Sequence, residues 1–591
     1  MATALYMQQQ GLTLQLCLQV FDISQDLADC MMRDKFVNVG IEAFASLGCH
    51  GQYPSNAERD FHRWTHHLHG VEIDPYDLWV NVQLPDRQEL TEIAVPCILA
   101  FEVINTIAKA GELQSNMSSL GPDGLDGPRK FWAAAQEEPW GMKHPALEGH
   151  SARDLRNVIP IWFHIDGAEI YNNAEFVIWS WCSAVAEALN IWDYKFLYCL
   201  IPSMVMHVKS VFKQINDAVT ELIGWDLGIC EIGYGPELGF YQEEFPANSS
   251  RSRLKGQALA FRAAFAGLKT DGKARRETHE FVRHYGCTFL CESCFATQTF
   301  AKAPPITNYK NFNKAAPWRW TCFGHETYES LDEPLSPWVK YVRGARIELF
   351  FHDIMHVVYL GFARDLIASV LIVLCESEQP ADKDVYLKQV HMEMNQWLKT
   401  HRQQKVTRVF SRVSIGRVAK DDYPELSSCY KAAAIKQMVF YFAHRMSSLC
   451  NTNMLLQLSA TCLWSLAEYI HRLDVAPLIL SHEERQDAIV LGKLHLLTYQ
   501  KLAERSVHDA SFLFKIRPKH HTFDHMLEFM SKSRINPGKF TCFRDEDFLG
   551  HVKRLGQQCH GKTISKRALQ RYILTLALRF HRRQRCQRYL I

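Results

Sequence analysis

No apolar run in this chain reads as long enough to cross a bilayer; stretches such as Leu366 to Cys375 are too short. The opening Met1-Ala-Thr-Ala-Leu-Tyr6 lacks a basic stretch followed by an apolar one, so no secretory signal is expected. Repeats and low-complexity tracts are also missing, which argues against solenoids and against extensive disorder. Cysteine is plentiful at 18 residues, but disulfide-like spacing is not. Only Cys291 and Cys294 show metal-knuckle spacing, so reduced thiols in a soluble intracellular protein are expected. Acid is absent from one long stretch: Gly550 to Ile591 holds eleven Lys and Arg and no Asp or Glu, although the whole chain carries only +2. A polyanion is the natural partner of such a segment, with Lys553, Arg554, Lys566, Arg567 and Arg571 as candidate phosphate contacts; the alternative reading is a solvated, frayed basic terminus.

The 591 residues are 47% apolar, 22% charged and 12% aromatic, enough for two or three domains with large cores. Residues 1–150 read as a mainly helical region of short helices and loops, with turn-rich stretches at Gly48 to Ser55 and Ser115 to Pro128. Strands are expected from Val158 to Ile170, Glu175 to Ser183, Tyr194 to Val205 and Ala258 to Leu268. Helices are expected over Val208 to Ile223 and Gly272 to Tyr285. Beyond Trp338 the 3.6-residue apolar period dominates, over Asp353 to Glu376, Asp382 to His401, Leu426 to Ser447, Met454 to Leu473 and His482 to Asp509. The division is 1–150, 151–300 as the first part of an α/β core, 301–515 as a helical insertion, 516–560 as the rest of the core, and 561–591 as a basic helix or tail.

Three acids stand out. Asp166 ends the alternating run Val158-Ile-Pro-Ile-Trp-Phe-His-Ile-Asp166, and a charge there sits at the edge of a core. Asp271 follows the fourth strand in a Thr-Asp-Gly turn, a setting that is also ordinary punctuation. Glu546 lies between Asp545 and Asp547; helical spacing from Phe543 through Gly550 to Lys553 favours it over either neighbour. Asp353 is a rival for the second acid. Two strand-end aspartates and a helical glutamate suit a pair of Mg²⁺ or Mn²⁺ ions holding the attacking water and leaving oxygen of a phosphodiester.

In this order the residues resemble the CACTA-like (CMC) DDE transposases, which are related to the V(D)J recombinase catalytic subunit and belong to the ribonuclease-H-like superfamily. The resemblance covers roughly residues 150–560. It rests on the run Gly267-Leu-Lys-Thr-Asp271-Gly-Lys leading to Cys291-Glu-Ser-Cys294, on His352-Asp353-Ile-Met-His356, on the histidines of Arg517-Pro-Lys-His520-His521-Thr-Phe-Asp-His525, and on the frame Phe543, Glu546, Gly550, Lys553. It implies an α/β ribonuclease-H-like core with a mixed sheet, interrupted by a large all-α insertion before the third acid. It also implies metal-dependent cleavage of DNA ends with strand transfer, a nuclear location, DNA as partner, and assembly as a homo-oligomer on DNA. Asp166, Asp271 and Glu546 would be catalytic and metal-binding. Cys291 and Cys294, with His525 and either His520 or His521, would hold a structural Zn²⁺, Cys287 being a substitute ligand. His356 is read as a packing or supporting residue, and Trp318-Arg-Trp320 as packing, with base stacking the alternative. Two other readings share the fold: an inactive transposase-derived protein that binds DNA or protein, and a nuclease for RNA or structured DNA.

Overall fold

The computed structural model describes residues 73–83, 89–109, 120–148, 154–171, 174–187, 190–202, 209–298, 306–416, 422–450, 453–557, 559 and 563–589. The expectations for residues 1–72 lie outside the described residues. Seven strands form one sheet: β1 (Tyr76–Gln83), β2 (Leu90–Cys97), β3 (Val158–Tyr171), β4 (Ala174–Ser183), β5 (Lys195–Pro202), β6 (Arg262–Thr270) and β7 (Phe350–His352). Their order across the sheet is β1-β2-β5-β4-β3-β6-β7. The first five positions are antiparallel, and β6 and β7 run parallel to β3. The sheet is therefore mixed, as expected.

Two strands replace the expected helices near residues 76–97. Along β1 the side chains of Tyr76, Leu78, Val80 and Val82 are buried while Trp79, Asn81 and Gln83 are exposed, a period of two. Trp79, an aromatic on the outward face, interrupts that pattern in the sequence. The hairpin joins the larger sheet through the single pair Cys97 and Cys199. The three-residue strand β7 was not expected either, being too short to show any period.

Helices α1 (Ala100–Lys109) and α2 (Asp126–Gln136) precede β3, and α3 (Lys209–Ile232) lies between β5 and β6. The buried Asp226 of α3 caps α1 from a distance, accepting bonds from the backbone N–H groups of Ala100 (2.6 Å) and Phe101 (3.1 Å). Helix α4 (Gly272–Glu277) is shorter than expected, because the chain turns through a positive φ at Glu280.

The helical layer begins at Met355 with a π-helical turn to Phe362 that runs into α5 (Ala363–Glu378). It continues through α6 (Lys383–Thr400), α7 (Ala432–Ser447), α8 (Met454–Val475), α9 (His482–His508) and α10 (Pro518–Lys532). The stretch Met355–Glu378 is apolar enough, at mean hydropathy 2.0, to span a bilayer by length and composition, but 83% of it is buried inside the protein. It packs as a core helix, among Phe362, Leu366, Val370, Phe442, Leu463 and Phe523. After this layer the chain returns to the sheet: α11 (Phe543–Gln557) packs on β3, and α12 (Ile564–Tyr589) packs on β5 and β2.

One glycine shapes the strand that leads to Asp271. Between Ile161 and Trp162 the β3 register skips a residue of β6, so that Ile161 faces Phe265 and Trp162 faces Gly267. This bulge puts Gly267 at φ +148°, with the Phe351 ring where a side chain would begin. A Cβ there would stand 2.2 Å from Phe351 Cε2. Gly267→Ala is expected to cost about 1–3 kcal/mol, read as a lowered midpoint in urea or thermal unfolding.

Candidate active site and metal centre

The parallel pairing of β3 with β6 decides where two acids fall. His164 is opposite Lys269, so Asp166 and Asp271, each two residues further on, lie at the same level; Asp271 follows the end of β6, whereas Asp166, expected at a strand end, is within β3, which runs on to Tyr171. Adjacent strands are ~4.8 Å apart. Asp271 caps α4 with one oxygen, Oδ1, which accepts the Ala274 N–H at 2.6 Å. Asp166 Oδ1 accepts the N–H of Gly167 at 2.6 Å. Glu546, in the first turn of α11, is 44% exposed, with Oε1 3.9 Å from His356 Nε2. Burial pushes the Asp166 carboxyl up to about 8, and the charges of Asp271 and Glu546 add to the shift. Asp271 and Glu546, from distant parts of the chain, thus both act on Asp166 through their charge.

Two of the rival acids, Asp545 and Asp353, are held by the protein's own groups, whereas Asp547 is exposed like Glu546. Asp545 is fully buried, with Lys195 in direct contact and Lys269 Nζ 2.5 Å from Oδ2; His164 Nδ1 is 3.8 Å from Oδ1. It anchors α11 to the sheet and leaves Glu546 facing outward. Asp353 is saturated as well. Its Oδ1 accepts from the backbone of Met355 (3.0 Å) and Cys542 (2.9 Å), and its Oδ2 from the backbone of His356 (3.0 Å) and from the His356 ring Nδ1 (2.6 Å). A carboxylate has about four acceptor sites, and all are taken. Asp353, His356 and Cys542 bring ligand atoms within 4.8 Å of one another, a spacing compatible with a metal, but the Asp353 lone pairs already serve the protein. Burial lowers the affinity of His356 for its proton, yet Asp353, Asp271 and Asp166 outweigh it and hold the imidazole above its ordinary value. His356 thus sets a cation against the acids, a larger role than packing.

The second cluster joins Cys291, Cys294, His521 and His525, all buried, with every ligand atom within 4.8 Å of the others. Cys294 Sγ lies 3.3 Å from Nε2 of both histidines, which are 3.1 Å apart. Backbone N–H groups of Ser293 and Ala296 point at the two sulfurs at 3.4 Å, as donors that favour thiolates. Burial raises the Cys291 thiol, but hydrogen bonds from Cys294, His521 and His525 outweigh it and hold it below its ordinary value. Burial opposes the proton on His525 in turn, and the Cys291 charge lifts it to about 9. A buried N₂S₂ set of this kind fits a tetrahedral metal ion.

His520 is excluded from this set. It stacks on Phe362 at 4.4 Å, packs against Tyr499, and accepts the Arg517 N–H at 3.1 Å. Cys287 is also turned away, its Sγ 3.3 Å from His284 Nε2. Cys322, which the sequence did not single out, sits beside Cys294 and hydrogen-bonds with it. No spacing signal could have found it, because it arrives from a separate loop. Trp318 is buried and covers His521 at 4.4 Å, whereas Trp320 is 84% exposed.

Glu292, inside the Cys291–Cys294 knuckle, links the two clusters. It contacts Arg275 and lies 3.4 Å from His352 Nε2. Arg275 donates to Thr270 Oγ1 and to the Phe350 carbonyl, both at 2.9 Å, so the knuckle is tied to the strand ends beside Asp271.

The basic candidates are dispersed. Lys553 lies on α11 two turns beyond Glu546 and is half-buried, while Arg554 is exposed and contacts His551. On α12, Lys566 is paired with Asp77 of β1 at 2.9 Å, Arg567 donates to Gln570, and Arg571 is half-buried beside the buried Tyr572. Between Ile564 and Ala577 this helix packs, burying Ala568, Leu569, Tyr572, Leu574 and Leu576. The chain matches no protein-family model and no curated protein.

The Asp166 shift has a signed consequence. Its folded value of about 8 exceeds the ordinary 3.8, so between these values the folded state holds a proton that the unfolded state has released. Its contribution to stability is therefore lost as pH rises from about 4 to 8. In chelator-treated protein, Asp166→Asn should raise Tm at pH 8 by roughly 2–4 °C and by much less at pH 5. An equal gain at both pH values would contradict the electrostatic account.

Proposed function

We propose that the chain is a DDE transposase of the CACTA-like kind, cutting DNA ends and joining them to a target with two divalent cations. The observation that carries this reading is geometric: the β3–β6 register sets Asp166 and Asp271 at one level on neighbouring strands, and Glu546 reaches His356 beside Asp353; burial raises the Asp166 carboxyl, and the charges of Asp271 and Glu546 add to it. Mutual repulsion of carboxylates in a half-buried setting is relieved by cations, so the donor set fits hard divalent ions with oxygen ligands. The strand order adds support. Among the five strands β5-β4-β3-β6-β7, the first acid lies on the first in chain order, β3, and the second follows the fourth, β6. That is the ribonuclease-H-like arrangement, with the helical layer entering before the third acid.

When bound, the ions supply activation of water and stabilisation of the departing oxygen. The protein's part is to orient and to balance charge. Asp166 presents its oxygens from within β3 and Asp271 from just past the end of the neighbouring β6, and α11 delivers Glu546. His356, its Nδ1 proton held by Asp353, turns Nε2 toward Glu546 and offsets part of the negative charge. The Cys291, Cys294, His521, His525 set would hold a structural Zn²⁺ that clamps the knuckle to α10.

Nicking of duplex DNA by the full chain with Mn²⁺ or Mg²⁺ tests this. Asp166→Ala, Asp271→Ala and Glu546→Ala should each reduce cleavage by roughly 10²–10³-fold or more. Equal cleavage by wild type and Asp166→Ala would sink the assignment, and cleavage without strand transfer into plasmid would reassign the protein as a nuclease. Metal analysis of purified protein should find one zinc per chain, lost in Cys294→Ser together with a lowered Tm.

A further inference from the structure

From Met394 to Lys420 the chain carries seven Lys and Arg and no Asp or Glu. Four of the cations, Lys399, Arg402, Lys405 and Arg408, recur at three-residue steps across the end of α6 and the irregular loop that follows. All four are exposed. Among the described residues, none of the four has a carboxylate within ion-pair distance; Arg412, paired with Asp384 at 2.8 Å, is different.

A merely solvated loop would need no anchors, and this one is pinned. Val406 and Phe410 are buried in the helical core. The Val406 N–H donates to Asn395 Oδ1 at 2.9 Å, and Asn395 Nδ2 donates to the Val406 carbonyl at 3.1 Å. Tyr430 donates its hydroxyl to the Val409 carbonyl at 3.0 Å, and Ser414 donates to the Ser411 carbonyl at 2.8 Å. The cations are therefore displayed on a fixed frame, which lowers the ordering cost of binding a ligand. Among the described residues no carboxylate pairs with these four cations, so an external polyanion meets charges that are not already engaged there.

We propose that this loop is a binding surface for the phosphate backbone of duplex nucleic acid, separate from the acidic site. The choice of duplex over single strand follows from the aromatic residues. Phe410 is buried, and Trp397 is stacked against His401 at 4.0 Å and His444 at 5.7 Å, so no free ring is offered to an unpaired base. Lys and Arg without base-reading partners make contacts that are independent of sequence. The inference rests on the transposase reading for its choice of nucleic acid over other polyanions.

The test compares wild type with Lys399→Gln/Arg402→Gln/Lys405→Gln/Arg408→Gln in the full chain, binding a 40-base-pair duplex of arbitrary sequence in EDTA at 50 to 200 mM salt. Losing four phosphate contacts should flatten the slope of log affinity against log salt by about 3–4 and weaken binding at low salt by roughly 10²-fold. The substituted residues are exposed, so Tm should be unchanged, and a lowered Tm would call for the charge-sparing Asn395→Ala, which frees the loop and should weaken binding less. Equal affinity and slope in the two proteins would overturn the proposal. So would binding of both proteins to phosphatidylserine vesicles rather than to DNA, a relevant arm because Val409 and Val413 are exposed beside the cations. Cleavage is scored separately: a wild type that cleaves while the quadruple variant binds normally refutes this surface alone, and a wild type that binds through the loop but never cleaves refutes the enzymatic reading alone.

Discussion

Everything around the acids depends on a carboxylate that does no chemistry itself. Asp545 is wholly enclosed, and an isolated charge in such a place would carry a desolvation penalty of several kcal/mol. Lys195 from β5 and Lys269 from β6 remove most of that penalty, so α11 has one position on the sheet in which its first turn is tolerable. Burial and the neighbouring Lys269 make the Lys195 ammonium a weak holder of its proton, so the two lysines need Asp545 as much as it needs them. The direction of Glu546 is inherited from this arrangement. A helix that slid or rotated to improve the Glu546 geometry would leave two lysines buried without a partner.

The knuckle contributes a second constraint of the same kind. Glu292 and Arg275 form a buried pair, and Arg275 also satisfies Thr270 and a β7 carbonyl. The two clusters are thus joined by polar contacts whose loss would leave unpaired groups in the interior. Glu292 and Arg275 thus tie the knuckle to Thr270, the residue before Asp271.

How much of this was legible in the sequence varies by the range of the interaction. The strand that carries Asp166 was plain because eight successive residues follow one local rule, and the long helices were plain for the same reason. The β1–β2 hairpin was missed because Trp79 on the outward face interrupts the alternation of β1 and the β2 sequence shows none, and β7 because three residues cannot display a period. The Cys291, Cys294, His521, His525 set was half visible through its short spacings. Cys322, and the saturation of Asp353 by donors that include the backbone of residue 542, depend on contacts between segments that share no local signal. The choice between His520 and His521 was open for a related reason: both lie in one helical turn, and only the packing of Phe362 and Tyr499 says which ring faces the core.

The late return of the chain to the sheet has a consequence in time. Glu546 follows Asp271 by 275 residues, and a ribosome adding about 5–20 residues per second needs on the order of tens of seconds to cover that interval. During that interval the nascent chain holds both strand-end aspartates but neither the last carboxylate nor the Asp545 that would dock its helix. A truncated or stalled product ending anywhere in the helical layer lacks the third acid altogether. The order of the elements along the chain thus fixes an order of assembly: the acidic site closes only after the whole helical layer and the helix that follows it have been made.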